Sequence, residues 1–242
     1  MTTLPQIVGG VTPAASHRSV ALFGLLGAKV IKLPPIEAEL TKLFSNAYRY
    51  ISFAIANQFF VITEKFGADF DRIRRAMTAD YPRMAGFPMA GFAGGPCLLK
   101  DTMQLAAFNH NAFAIGQAAM MVNEGLPSIL VDVVKARYCL AGSTAAILGM
   151  AFKGNSDDPR DSLAYKLRKV LTLECRRVLC TDPYIQDPSF VPLETALREA
   201  DFVFLGACHE EYRDLVIEKP VVDAFHFLRQ DGETGVEKRS AA

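Results

Sequence analysis

The chain has 242 residues, half of them hydrophobic, with 26 basic and 26 acidic side chains and a formal net charge of zero. That length suits two modest domains or one large one, and the balanced charge, with no basic stripe, argues against nucleic acid as the main partner. No stretch approaches the roughly 18 apolar residues of a membrane-crossing helix, so no membrane is implied, and the N-terminus has no charged segment followed by an apolar one that would mark a signal peptide. The five cysteines (Cys97, Cys139, Cys175, Cys180 and Cys208) are odd in number and scattered. That pattern predicts reduced thiols in a cytoplasmic protein rather than a disulfide framework. No cysteine or histidine pair has the spacing of zinc ligands.

Two short apolar runs, Gln6-Ile7-Val8 and Ala28-Lys29-Val30-Ile31, flank a predicted helix over 14–26. They look like the tail of an α/β unit. From residue 35 to 66 Leu40, Leu43, Ala47, Ile51, Ala54, Ile55, Phe59 and Ile62 recur at three- and four-residue steps, which predicts one long helix with Gly67 as its C-cap. A short helix is predicted over 69–78. Residues 80–97 carry Gly86, Gly91, Gly94 and Gly95 with Pro82, Pro88 and Pro96, and must be a loop. Helices over 101–108 and 111–137 follow, and the second, facing another long helix, is a candidate dimer surface.

After Ser143 the texture changes. Strands are predicted over 145–152, 177–182, 201–207 and 221–224, with helices over 161–173 and 192–199 between the first three. Alternating strands and helices imply an α/β fold with a parallel sheet, whose ligands bind at the C-terminal ends of the strands. The polar tail begins near residue 230.

Three constellations can carry chemistry. Gly94-Gly95-Pro96-Cys97-Leu98-Leu99-Lys100-Asp101 delivers a lone cysteine to a helix start beside a cation, an environment that favours thiolate. The plainer alternative is a buried cysteine in a turn. Asp101 is either the helix N-cap or a group that orients water. On the long helix, Lys42 and Asn46 lie four apart on one face. They form either a solvated surface or, if the lysine is buried, an oxyanion-stabilising pair. Finally, Gly149 to Ser162 starts as a strand and ends as a helix without a dinucleotide fingerprint or a phosphate-loop motif. Lys153 and Arg160 lie where phosphates bind and Phe152 can stack on a flat ring, while Asp157-Asp158-Arg160-Asp161 can equally be a salt-bridged turn.

In order and spacing these segments resemble the nucleotide-sugar 6-dehydrogenases, the family that oxidises UDP-glucose, UDP-N-acetylglucosamine and UDP-N-acetylmannosamine. Ile7-Val8-Gly9-Gly10-Val11-Thr12 resembles the last stretch of that family's N-terminal domain, and 38–46 its central-helix motif. The Cys97 segment resembles its catalytic-cysteine motif, and 149–162 the hallmark of its C-terminal domain. The resemblance implies a remnant of the NAD-binding domain over 1–35 and a helical dimerisation domain with the cysteine over 36–139. A Rossmann-like, UDP-sugar-binding parallel α/β domain over 140–230 and a polar tail over 231–242 would follow.

It also implies roles. The family oxidises a sugar C6 alcohol to a carboxylate in two NAD-dependent steps through a cysteine thioester. Cys97 matches the nucleophile, Lys42 and Asn46 the groups that stabilise oxyanions, and Asp101 the aspartate that holds water. Pro88, Gly91, Phe92 and Gly94 match the loop that wraps the UDP-sugar, and Phe152 and Lys153 match nucleotide-sugar contacts. Arg160 and Lys100 match groups that reach NAD. Arg83 falls near an arginine donated across the homodimer, though at a different offset from the cysteine.

There are two departures. The family's N-terminal domain with its glycine fingerprint is not represented, so the chain is expected to bind and dimerise but not to turn over by itself. And where the family commonly has an arginine after Asp-Gly or Asp-Ala, Asp223-Ala224 is followed by Phe225 and His226. Either the usual nucleotide clamp is lost or the substrate differs. Both departures favour the alternative, a non-catalytic dimerising or regulatory relative, and the retention of Cys97, Lys42, Asn46 and Asp101 weighs against it.

Overall fold

The structure, a computed structural model, describes residues 4–228. The polar tail expected over 231–242 lies outside the described residues. Two compact units divide the chain, one ending at Arg49 and one beginning at Tyr50, and the boundary falls inside a helix.

In the first unit β1 (Gln6–Val8) and β2 (Val30–Lys32) pair in parallel, Ile7 opposite Ile31, with α1 (Pro13–Gly24) as the crossover. Parallel strands need such a crossover. The helix starts where Thr12 accepts the Ala15 N–H at 3.1 Å and Pro13 supplies a first residue that needs no acceptor.

The long helix is continuous. α2 (Pro35–Phe66) stops at Gly67, whose φ of +60° takes the chain out of the helix. Its apolar positions divide between two faces. Leu43, Ala47, Tyr50 and Ala54 are buried, whereas Phe44, Tyr48, Ile55, Phe59, Ile62 and Phe66 are exposed large hydrophobics at helical spacing. α3 (Phe70–Thr78) is capped by Asp69, and α4 (Leu98–Phe108) and α5 (Ala114–Lys135) complete the helical part of the second unit.

The rest is a four-stranded, all-parallel sheet in the order β4-β3-β5-β6, from β3 (Thr144–Leu148), β4 (Arg177–Thr181), β5 (Phe202–Leu205) and β6 (Val221–Val222). Both faces are covered, as a parallel sheet requires. Ala145, Ile147, Phe202 and Phe204 pack on α6 (Leu163–Glu174) and on Leu126, Leu130 and Val134 of α5. Ala146, Leu148, Val203 and Leu205 pack on Ala196 of α7 (Leu193–Glu199). The helical part is also tied to the sheet's own helix, because Glu124 on α5 accepts from Lys166 of α6 at 2.7 Å and from the buried Tyr50 hydroxyl at 3.4 Å. The strand order runs outward from β3 to β4 on one side and to β5 and β6 on the other, so the loops after β3 and β5 diverge at a topological switch point.

The predicted α/β architecture is the observed one, with differences at the bounds of single elements. The strand predicted over 145–152 ends at Leu148, because the Met150 and Ala151 N–H groups are taken by the Asp182 carboxylate at 2.6 and 3.1 Å instead of by a neighbouring strand. The helix predicted from residue 101 starts at Leu98, and the predicted helix over 111–137 is trimmed to 114–135. The loop over 80–97 contains one 3-10 turn, Pro82–Met84.

Candidate functional site

Cys97 stands at the N-cap position of α4 with its side chain exposed. The Asp101 N–H donates to the Cys97 carbonyl at 2.9 Å, and this is the first bond of the helix, so the amides of Leu98, Leu99 and Lys100 precede it. Asp101 is therefore a first-turn residue and not the N-cap. Its side chain is buried at 7 % exposure and meets Lys100 Nζ at 3.3 Å, while the Lys100 side chain is largely exposed. Cys175, Cys180 and Cys208 are less exposed than Cys97. Burial pushes the thiols of Cys180 and Cys208 up to about 11 and about 12, and Cys175 is raised by the same cause. Cys139 is exposed like Cys97.

The loop before Cys97 is fastened at several points. Gly91 donates to Asn57 Oδ1 at 2.8 Å and accepts from Asn57 Nδ2 at 3.0 Å, and Asn57 Nδ2 also donates to Asn123 Oδ1 at 2.9 Å. Asn123 donates in turn to the Tyr50 carbonyl at 2.9 Å, and both asparagines are fully buried. The Gly95 N–H donates to the Asp161 carbonyl at 3.1 Å, joining the cysteine loop directly to the loop that follows β3. Phe92 is buried in the main core and meets the Phe225 ring edge-on at 5.6 Å. Pro88 is half-buried, Gly94 lies against the Asp161 carbonyl, and Arg83 is exposed on the 3-10 turn.

The loop after β3 is held from beneath by a buried pair. His209 Nε2 and Asp182 Oδ2 lie 3.0 Å apart, both side chains without solvent exposure. Nδ1 of His209 accepts the Asn155 N–H at 3.0 Å, so the ring proton resides on Nε2 and faces the carboxylate. Asn155 Oδ1 accepts the Glu210 N–H at 2.8 Å, which closes the link between the loops after β3 and β5. Burial works to raise the Asp182 carboxyl, but His209 and the amides of Met150, Tyr184 and Ile185 outweigh it and hold it down to about 2. On this frame Lys153 is exposed, its Nζ 5.5 Å from the Phe152 ring centre. Arg160 forms a fork on Asp158, with Nε at 2.9 Å from Oδ1 and Nη2 at 2.7 Å from Oδ2. That fork lowers the Asp158 carboxyl to about 2. The salt-bridged turn is thus the observed state of this charge cluster, with the Arg160 guanidinium still open to solvent.

Lys42 and Asn46 belong to the first unit. Lys42 is exposed and Asn46 is buried. Within the second unit the structure brings together the loops bearing Cys97, Phe152 and Arg160. Sequence reasoning missed Asn57, Asn123, Asp182 and His209, which hold those loops. The one signal available was polar residues interrupting apolar helical and strand patterns. Among the described residues no group of three or more His, Cys, Asp or Glu is placed to hold a metal, and no helix is long and apolar enough to cross a membrane.

Comparison with known proteins gives consistent findings. Residues 36–125 match the central domain of the UDP-glucose/GDP-mannose dehydrogenase family, and residues 146–230 match its UDP binding domain. A UDP-N-acetyl-D-mannosamine dehydrogenase of Pyrococcus horikoshii is 26 % identical over 240 residues, covering 96 % of this chain and 57 % of the relative. One from Methanocaldococcus jannaschii is 29 % identical over 213 residues, covering 86 % and 49 %. A solved UDP-glucose dehydrogenase from Pyrobaculum islandicum superposes with a TM-score of 0.83 at 27 % identity, covering 92 % of this chain and 55 % of that one. The chain spans about half the length of the curated relatives it matches.

Proposed function

The chain belongs to the UDP-glucose/GDP-mannose dehydrogenase family, and from that premise we propose that it binds a UDP-sugar and supplies the covalent nucleophile for oxidation of the sugar's C6 alcohol to a carboxylate. The observation that carries this reading is Cys97 at the head of α4, on a glycine loop bonded through Gly95 to the loop at the C-terminal end of β3. A nucleotide bound at the strand ends of a doubly covered sheet would extend its sugar toward that thiol.

The chemistry assigned to these residues is the covalent and hydrolytic half of the reaction. The Cys97 thiolate adds to the C6 aldehyde carbon, and the carbonyl oxygen takes up the charge and then a proton. Lys42 and Asn46 stabilise oxygen charge at C6, and Asp101 holds the water that releases the acid from a thioester. Pro88, Gly91, Phe92 and Gly94 form the sugar loop, Phe152 and Lys153 meet the nucleotide, and Arg83 serves a partner's site. NAD is the acceptor that family membership implies, with Lys100 and Arg160 as the groups that reach it. The described residues do not fit a whole dinucleotide. The turn from β1 to α1 carries Gly9 and Gly10 but not the Gly-x-Gly-x-x-Gly spacing of a dinucleotide site, and Lys100 and Arg160 are exposed and paired with aspartates. No turnover is therefore assigned to this chain alone.

Homodimerisation is assigned to the exposed apolar stripe of α2, where Ile55, Phe59, Ile62 and Phe66 recur at the surface. The unpaired cysteines agree with a reducing, cytoplasmic setting. The whole protein's role would be to make sugar acids for polysaccharides.

Isothermal titration of the full chain with UDP-glucose, UDP-N-acetylmannosamine, UDP-N-acetylglucosamine and GDP-mannose tests the binding claim. Saturable binding of a UDP-sugar, retained in Cys97→Ser, supports it, and absence of heat for all four overturns it. The second reading, a non-catalytic dimerising or regulatory relative, is favoured by Phe225 in the position of a nucleotide-binding arginine. It predicts a Cys97 that reacts with alkylating agents no faster than a free peptide thiol.

A further inference from the structure

The loop that carries Cys97 is held at two glycines, and each is covered by a phenylalanine ring from the parallel sheet's C-terminal edge. Gly91 has φ +135°, and a Cβ there would fall 2.3 Å from Cδ1 and 2.5 Å from Cε1 of Phe225. Gly95 has φ +102°, and a Cβ there would fall 2.6 Å from Cδ2 of Phe152. Both rings occupy the volume a side chain would need, and only glycine tolerates both the approach and the dihedral.

The Phe225 contact is the more completely built. Asn57 holds both polar backbone groups of Gly91, at 2.8 and 3.0 Å, so the peptide is gripped on its polar edge while the ring lies on its α-carbon. Phe92, the next residue, meets the same ring edge-on. Phe225 is itself held in place. Asp223 Oδ1 accepts its N–H at 2.9 Å, and Asp223 Oδ2 accepts the N–H groups of Phe227 and Leu228 at 2.7 and 2.9 Å. The turn that follows β6 therefore fixes the backbone that carries the ring, and the ring itself is held by Phe92 and by the buried residues it packs against.

We propose that Phe225 is a positioning residue for Cys97: through Gly91 its ring sets the course of the loop that places the thiol at the first turn of α4. The meaning of this for catalysis rests on the reading of Cys97 as nucleophile, but the placement is a property of the loop and needs no ligand to be measured. Released from the ring, the loop would let the thiol leave the first turn of α4 and the partial positive charge of the helix N-terminus.

The test is alkylation of the full chain by iodoacetamide at pH 7, with Cys97 and Cys139 peptides quantified separately by mass spectrometry. Cys139, exposed and remote in sequence, is the internal reference. In Phe225→Ala the Cys97-to-Cys139 rate ratio falls about threefold, within the range of a lost helix-terminus interaction, and Phe225→Tyr, which keeps the ring, restores it. Gly91→Ala pushes on the same contact from the other side and lowers the ratio even if Phe225→Ala does not fold. Its stability cost is smaller in the Phe225→Ala background, where the methyl has room. A folded Phe225→Ala with an unchanged ratio, or a Tyr variant that fails to restore it, overturns the proposal and leaves Phe225 as core filling. A UDP-sugar titration without heat would remove the functional reading and leave this result standing.

Discussion

The imidazole of His209 and the carboxylate of Asp182 are both fully buried, 3.0 Å apart, under the loop that joins β3 to α6. The carboxylate also takes the amides of Met150, Ala151, Tyr184 and Ile185, so one side chain holds the backbone after two strands.

That arrangement has a pH signature. The Asp182 carboxyl stands at about 2 in the folded chain, below the roughly 3.9 of an unfolded aspartate. Because the folded value is the lower one, its contribution is fully present above the unfolded value and is lost as pH falls through about 4 toward about 2. A shift of that size corresponds to about 2–3 kcal/mol at pH 7. Urea midpoints measured from pH 7 to pH 2 should fall through that window. Asp182→Asn should be less stable at pH 7 by about 2–4 kcal/mol and show a flatter acid limb.

Asn57 is the polar hub beneath the cysteine loop. Asn57→Leu removes both bonds to Gly91 and leaves Asn123 Oδ1 without its donor. A loss of about 2–4 kcal/mol follows from the buried groups left unsatisfied. Hydrogen exchange should show the Gly91 and Gly95 amides losing protection before those of β3. Unchanged protection at Gly91 would contradict the clamp.

Lys219 closes the end of α7. Its Nζ donates to the carbonyls of Leu197 and Arg198 at 2.6 and 2.8 Å and to that of Ala200. Cationic donors at a helix C-terminus satisfy carbonyls the helix leaves open. Lys219→Met, which keeps the stem, should lower the urea midpoint by the equivalent of about 1–2 kcal/mol with no change in the denaturant slope.

The exposed face of α2 is predicted to be an interface between two copies of the chain. Phe59→Glu with Ile62→Lys places opposite charges on that face while touching no buried position of the helix. Light scattering should report a dimer for the parent and a monomer for the variant, with the helical circular-dichroism signal retained. A parent that is monomeric at high micromolar concentration would refute the assignment.

How much of this was legible beforehand differs from element to element. The limits of α2 agree with the sequence because they depend on local chemistry, a proline start and a glycine stop around an uninterrupted helical pattern. Which of its apolar stripes is buried was not legible, since Leu43, Ala47 and Ala54 differ from Ile55, Phe59 and Ile62 only in what the rest of the chain lays against them. The side chain of Asp101 suits either a cap or a water-holding group, and local sequence does not separate the two; Cys97 supplies the carbonyl that opens the helix, which starts at Leu98. The strand after Ser143 was overextended because its apolar run continues through Phe152, and nothing near it in sequence announces that Asp182 takes the next amides.

The sequence by itself determined the α/β class, the alternation behind the parallel sheet, and the placement of a lone cysteine on a glycine loop before a helix. These depend on residues within a turn or two of one another, where dihedral preference and hydrophobic period act. Only the tertiary structure decided that Asn57 grips Gly91, that Phe225 and Phe152 cover two glycines of the cysteine loop, and that His209 and Asp182 hold the loop after β3. Those contacts join residues far apart in the chain. Each follows from the need to fill volume and satisfy every buried polar group once the elements are assembled.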